Sequence, residues 1–168
     1  MPSDSLAVAA IAVVGGVSAF IDLQTRRVPN ALTLGVAALG ITLAARHLTG
    51  VSVVGAVEGL AVGLLLMLPG HVLGATGAGD VKLFAAVGTL LGPTRIGVAF
   101  LYTALAGGVL AVVVAAHRGR LRRAIDGTAA LVRTGGANVA AIEHPSAGNR
   151  FAYAPAIAMG ALVAALGF

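Results

Sequence analysis

Residues 76–116 read TGAGDVKLFAAVGTLLGPTRIGVAFLYTALAGGVLAVVVAA, and this stretch determines the class of fold. It contains two apolar runs, 76–92 and 95–116, and its charged residues are Asp80, Lys82 and Arg95. A helix needs roughly 20 apolar residues to cross the hydrocarbon core of a bilayer. The stretch therefore predicts two consecutive membrane helices, the first of which has a carboxyl group at its polar edge.

The rest of the chain repeats this pattern. Similar apolar runs occur at about 5–22, 31–46, 51–70 and 151–168. The chain is 58% hydrophobic and 10% charged, whereas soluble domains are roughly a quarter charged. We therefore predict an all-α polytopic protein of about six transmembrane helices. It forms a single membrane-embedded domain over 1–168, because the one long polar stretch, a loop at about 117–150, is too small for a second domain. The first run lacks the basic start of a cleaved signal peptide, so we expect it to be a retained helix.

The positions of the cations predict the orientation in the membrane. If the loop at 23–30 is cytoplasmic, nine cations fall on the cytoplasmic side and two fall outside, which agrees with the positive-inside rule. The nine are Arg26, Arg27, Lys82, Arg118, Arg120, Arg122, Arg123, Arg133 and Arg150, and the two are Arg46 and Arg95. Both termini are then outside the cytoplasm, and the protein is a multi-pass protein of the plasma membrane. Within the basic loop, 118–133 has two readings of equal weight, an interfacial helix on anionic headgroups or a solvated loop.

Several classes of site are disfavoured by composition. The net charge of +5 comes from cations between apolar runs, without neighbouring aromatic residues for base stacking, so we expect no nucleic-acid partner. The chain has no cysteine, and its four histidines lack metal-ligand spacing, so we expect no metal and no cofactor.

Two aspartates stand where an ionisable group is costly. Asp22 ends the first run, in FIDLQTRRVPN, and Asp80 begins the fourth, so the charge-derived topology puts both on the cytoplasmic side at similar depth. Two carboxyls that meet there cannot both ionise easily; one can take a proton from water while the other polarises a carbonyl. In the competing reading they are interface anchors, paired with Arg26 and Lys82, although only the first pairing has helical spacing.

Three segments resemble the prepilin leader peptidase family. Residues 77–83, GAGDVKL, resemble its GxGDxKL signature. Asp22, followed by Val28-Pro29-Asn30, resembles the segment of its first aspartate, in which proline fixes a turn and Asn30 can cap the next helix. Residues 150–158, RFAYAPAIA, resemble the start of its last helix. GxGD alone is a weak signal, but the three segments occur in the family's order and bracket nearly the whole chain.

This resemblance implies a function and a site. Asp22 and Asp80 match the two catalytic aspartates, and Gly77 and Gly79 match the glycines of the GxGD loop. The family removes the short basic leader of type IV pilin-like precursors at the cytoplasmic face of the membrane. The compact chain, with its short loop at 23–30 and no cysteine, resembles the peptidases of Flp-type pilus systems and, in size, preflagellin peptidases; we therefore expect no N-methyltransferase activity. Homo-oligomerisation is left open.

Two roles remain possible for each of the other candidate residues of the site. Lys82 either touches the site or extends to headgroups, and Tyr153 with Pro155 either lines the site or, like Phe151, anchors the interface. Glu58 and His71 are expected to lie outside the site.

Three other functions compete. A presenilin-like protease would have a tyrosine before the first aspartate and a Pro-Ala-Leu motif, but here Ile21 precedes Asp22 and the motif is absent. A proton- or cation-coupled transporter would use the same aspartates, but it needs polar groups along a path through the membrane. A structural scaffold would tolerate Asp→Asn at both positions.

Overall fold

The structure is a computed structural model that describes residues 2–72, 76–117, 119 and 153–167. This part of the chain is all helical, in agreement with the predicted class. The helices are α1 (Pro2–Thr25), α2 (Asn30–Ala45), α3 (Val53–Val72), α4 (Ala78–His117) and α5 (Ala154–Leu166). The polar loop at 120–150, the segment 118–133 and Phe151 lie wholly or almost wholly outside the described residues.

α4 is a helical hairpin rather than one straight rod. The rings of Phe84 and Phe100 lie edge to face with centroids 6.1 Å apart, whereas 16 residues of straight helix would separate them by about 24 Å. The reversal occurs at Gly92, whose φ of 74° and ψ of 176° suit only glycine, and Pro93 then starts the second half. The two halves of α4 therefore run antiparallel, and they coincide with the predicted runs at 76–92 and 95–116.

The first half of α4 is the centre of the bundle. Every residue from 83 to 92 is buried, and α2 and α3 pack against this half. α5 packs against the second half of α4 and against α1. The site described below lies where the first turn of this central helix meets the end of α1 and the start of α5.

Small residues permit the close approach of these helices, as is typical of packing in lipid. A Cβ atom at Gly59 of α3 would collide with the backbone oxygen of Gly88, so the two backbones are in direct contact there. Gly40 packs in the same way on Thr89, and Gly160 packs on Thr103. The alanine- and glycine-rich composition is thus used at the helix contacts themselves.

Three helical segments are long and apolar enough to cross a membrane, namely Ser5–Thr25, Val53–Val72 and Ala78–Val114. α2 and α5 are shorter apolar helices. Exposed aliphatic side chains such as Val13, Leu34 and Leu65 cover the outer surface of the bundle, which fits a lipid solvent.

Candidate active site

Asp22 lies in the last turn of α1 and is 4% exposed. The helix ends because Arg26 takes a left-handed φ of 50°, while its N–H still donates to the backbone oxygen of Asp22 at 2.7 Å. The carboxyl group itself is held by another helix: the backbone N–H of Ala154, the first residue of α5, donates to Asp22 Oδ2 at 3.0 Å. The start of a helix has free N–H groups that bind anionic oxygen, so α5 fixes the Asp22 carboxyl directly.

Asp80 lies in the first turn of α4 and is 9% exposed. The backbone N–H of Gly77 donates to Asp80 Oδ2 at 3.1 Å, and the Asp80 N–H donates back to the Gly77 oxygen at 3.0 Å. A side chain at position 77 would place its Cβ 3.0 Å from Asp80 Oδ2, which is closer than ordinary van der Waals contact. The GxGD turn therefore presents a backbone donor to its own aspartate, and Gly77 leaves the space that this geometry needs.

Electrostatic interactions connect the two carboxyl groups and a tyrosine. The carboxyl groups interact electrostatically with each other, and the phenol of Tyr153 interacts with the charge of Asp80. α1 and α4 have little direct contact, whereas α5 packs against both. The start of α5 therefore joins the two aspartates, since Ala154 bonds to Asp22 while Tyr153 lies within electrostatic range of Asp80.

The turn between α1 and α2 is attached to the start of α4. Lys82 Nζ donates to Asn30 Oδ1 at 3.0 Å. A Cβ at Gly79 would lie 3.2 Å from Val28 Cβ, so the glycine lets this turn approach closely. These contacts join the segments that carry the two aspartates, and they bring together Gly79, Lys82 and Asn30 as members of one cluster.

One detail of the sequence interpretation is wrong. Asn30 was expected to cap α2, but it is the first residue of the helix, and Pro29 occupies the cap position without a side-chain hydrogen bond. The Asn30 amide oxygen is used by Lys82 instead. Pro29 does fix the turn as expected, with a φ of −64°.

Tyr153 and Pro155 lie at the start of α5. Tyr153 is half-buried and takes the N-cap position, and its ring packs against Gly107 of α4. Pro155 lies in the first turn of α5, where proline is tolerated because the first N–H groups of a helix have no partner within it. Tyr153 therefore directly precedes the residue that bonds to Asp22, whereas Pro155 contributes by starting the helix.

In the part of the chain that the structure describes, two further polar candidates, Glu58 and His71, make no hydrogen bond or ion pair with either aspartate, although His71 contacts the residue before the GxGD turn. Glu58 is exposed on α3, and His71 Nδ1 is 3.0 Å from the backbone oxygen of Thr76. Within the described ranges, no group of three or more His, Cys, Asp or Glu residues could hold a metal ion.

Sequence reasoning missed two contributors to the site, the backbone N–H of Ala154 and the glycine at 107. A signal for the first was present, since Pro155 marks a helix start and hence a set of free N–H groups. Gly107 carried no local signal, because the ring that packs against it belongs to Tyr153, which lies 46 positions later in the sequence.

Comparison with known proteins agrees with the geometry. The sequence model of the type IV leader peptidase family matches residues 9–112, which include both aspartates and the GxGD turn. No curated protein sequence and no solved structure matches the chain. Because the family match covers more than half of the 168 residues, the chain belongs to the type IV leader peptidase family.

Proposed function

We propose that this peptidase is an aspartic endopeptidase that removes the short leader of type IV pilin-like precursors of the Flp type. Asp22 and Asp80 form the catalytic pair. The observation that carries the proposal is that two buried carboxyl groups, at the end of α1 and the start of α4, each accept a backbone N–H hydrogen bond, while the Lys82–Asn30 bond joins the two segments.

The chemistry follows from the pairing. In the proposed mechanism one carboxyl of the pair is ionised and the other is protonated. The ionised group accepts a proton from a water molecule, and the protonated group donates a hydrogen bond to the oxygen of the scissile carbonyl. The water oxygen bonds to the carbonyl carbon, and the tetrahedral intermediate then collapses by breaking the C–N bond, as the leaving amine takes the proton that the first carboxyl had accepted from water. The bonds from Gly77 and Ala154 orient the two carboxyls for this exchange.

The membrane arrangement is part of the proposal. The two halves of α4 each cross the bilayer, and with α1, α2, α3 and α5 they make six crossings of a single domain. The charge distribution puts the aspartates at the cytoplasmic face and both termini outside. The basic loop at about 117–150 is then cytoplasmic as well. The antiparallel hairpin supports this arrangement, because it returns the second half of α4 to the level of Asp80.

The substrate and the product follow from the family and from the size of the chain. The substrate is a precursor with a short basic leader followed by a hydrophobic helix, and cleavage occurs at the junction. The new N-terminus stays unmethylated in this proposal, since the chain has no cysteine and its loop at 23–30 is short. Mass spectrometry of the mature pilin measures the methylation state of the new N-terminus directly. An added 14 Da would contradict the absence of methylation but not the cleavage of the leader.

The experiment is co-expression with a Flp-type prepilin, with precursor and mature bands resolved on a gel. Asp22→Asn and Asp80→Asn keep the shape of each side chain but cannot share the proton, so each lowers the cleavage rate by about 10²- to 10⁴-fold. Glu58→Gln is the matched control, because it neutralises an exposed acid away from the site and leaves cleavage unchanged.

The alternative function gives the opposite pattern. A proton- or cation-coupled transporter would show no cleavage of any pilin precursor by the wild-type protein. It would instead show ion flux into proteoliposomes that is sensitive to Asp22→Asn, Asp80→Asn and Glu58→Gln. Cleavage that persists in both aspartate variants would also contradict the catalytic pair.

A further inference from the structure

Gly107 lies in the second half of α4, far from both aspartates in sequence, and it is buried. A Cβ atom there would be 2.8 Å from the hydroxyl oxygen of Tyr153 and 2.9 Å from its Cζ. Ordinary contacts between carbon atoms are about 3.5–4.0 Å. The tyrosine ring therefore occupies the space that a side chain at position 107 would fill. The neighbouring Gly108 has nothing within 4 Å of its ideal Cβ.

The same tyrosine is connected to both aspartates. It precedes Ala154, whose N–H binds Asp22, and its phenol interacts with the charge of Asp80. The backbone oxygen of Tyr153 accepts the first hydrogen bonds of α5, from Ala156 at 3.0 Å and from Ile157 at 3.2 Å. Tyr153 is half-buried, and its ring rests on Gly107. The position of this ring therefore depends on the absence of a side chain at residue 107.

We infer that Gly107 is a positioning residue of the active site, which acts by seating the ring of Tyr153 beside the Asp22–Asp80 pair; the inference rests on the proposed peptidase function. A methyl group at 107 displaces the ring by about 1 Å or more. The displaced atoms are the far end of one side chain, so the bundle keeps its fold. The substitution is therefore expected to lower the catalytic activity and not the stability of the fold.

The first test is a double-mutant cycle on kcat/KM for leader cleavage by the detergent-solubilised protein. Gly107→Ala lowers kcat/KM by about tenfold or more, while the matched control Gly108→Ala stays within about twofold of wild type. Both variants keep a melting temperature close to that of wild type. In a Tyr153→Ala background, Gly107→Ala costs less than about twofold, because the ring that it displaces is absent. An equal loss in both backgrounds, or no loss in either, would overturn the inference.

The second test does not need activity. The chain has no tryptophan and two tyrosines, so in a Tyr102→Phe background Tyr153 is the single tyrosine that fluoresces. Gly107→Ala changes the quenching of this fluorescence by iodide or acrylamide, whereas Gly108→Ala leaves it unchanged. Unchanged quenching in Gly107→Ala overturns the inference even if the wild type cleaves its substrate. Failure of the wild type to cleave any pilin precursor contradicts the proposed function instead, and the role of Gly107 in catalysis falls with it.

Discussion

Lys82 Nζ donates a 3.0 Å hydrogen bond to Asn30 Oδ1, across 52 residues of sequence. Lys82 follows Asp80 on α4, and Asn30 follows the turn after Asp22, so this bond joins the two segments that carry these aspartates. Sequence alone left Lys82 with two readings, contact with the site or extension to headgroups. The structure gives it a partner at the edge of the site.

Loss of this bond is expected to loosen the pair without abolishing catalysis. Lys82→Met keeps the aliphatic stem, and Asn30→Ala removes the acceptor; each lowers kcat/KM by about 2- to 10-fold, since an exposed hydrogen bond contributes about 0.5–1.5 kcal/mol. The double variant is no worse than either single one if the bond is their shared role. If Lys82 instead binds substrate, Lys82→Met costs more than Asn30→Ala, the two effects add, and the change is mainly in KM.

Contact between α1 and α5 is expected to control the position of Asp22. A Cβ at Gly15 would lie 2.9 Å from the Ala158 Cβ, so Gly15→Ala forces the helices apart and weakens the bond from Ala154 to Asp22. We expect destabilisation by about 1–3 kcal/mol and a loss of cleavage. The neighbouring Gly16 has open space, and Gly16→Ala is the control. Restoration of stability and cleavage by Ala158→Gly in the Gly15→Ala protein would establish the contact; failure of this rescue would contradict it.

The hairpin of α4 depends on one glycine. At Gly92 the φ of 74° and ψ of 176° are nearly inaccessible to other residues, so Gly92→Ala is expected to cost about 1–3 kcal/mol, measured as a lower melting temperature in detergent. Gly97 lies in the second half with nothing within 4 Å of its ideal Cβ, so Gly97→Ala is expected to be neutral or to stabilise by up to about 1 kcal/mol. Equal melting temperatures for the two variants would argue against a chain reversal at position 92.

Ser18 has a buried hydroxyl with no hydrogen-bond partner among the described residues, and it lines a narrow apolar cavity between α1, α4 and α5. It lies one helical turn before Asp22. An unsatisfied buried hydroxyl is costly, so Ser18→Ala is expected to raise stability by about 1 kcal/mol or leave it unchanged, with cleavage retained. Thr89→Val is a useful comparison, because the Thr89 hydroxyl donates to the Ala86 oxygen at 2.7 Å. A large loss of cleavage in Ser18→Ala would indicate that Ser18 passes protons to Asp22.

Much of the architecture was predictable because lipid imposes simple rules on sequence. The helices α1, α2 and α3 follow the apolar runs closely, since each run must satisfy its own backbone hydrogen bonds. The pairing of Asp22 with Asp80 at one depth stays a prediction. The use of Asn30 could not be predicted, because a side chain that can cap a helix can equally accept a bond from a distant lysine, and local spacing does not distinguish the two.

The sequence by itself determined that this is a helical protein of membrane type, with Asp22 at the end of one apolar run and Asp80 in a GxGD turn, because hydropathy and short motifs act over neighbouring residues. Only the tertiary structure decided what holds those carboxyls. The N–H of Ala154 on Asp22 and the ring of Tyr153 on Gly107 join residues that are far apart along the chain. Such contacts depend on how glycine and alanine let the helices approach, which is a property of the packed bundle and not of any one segment.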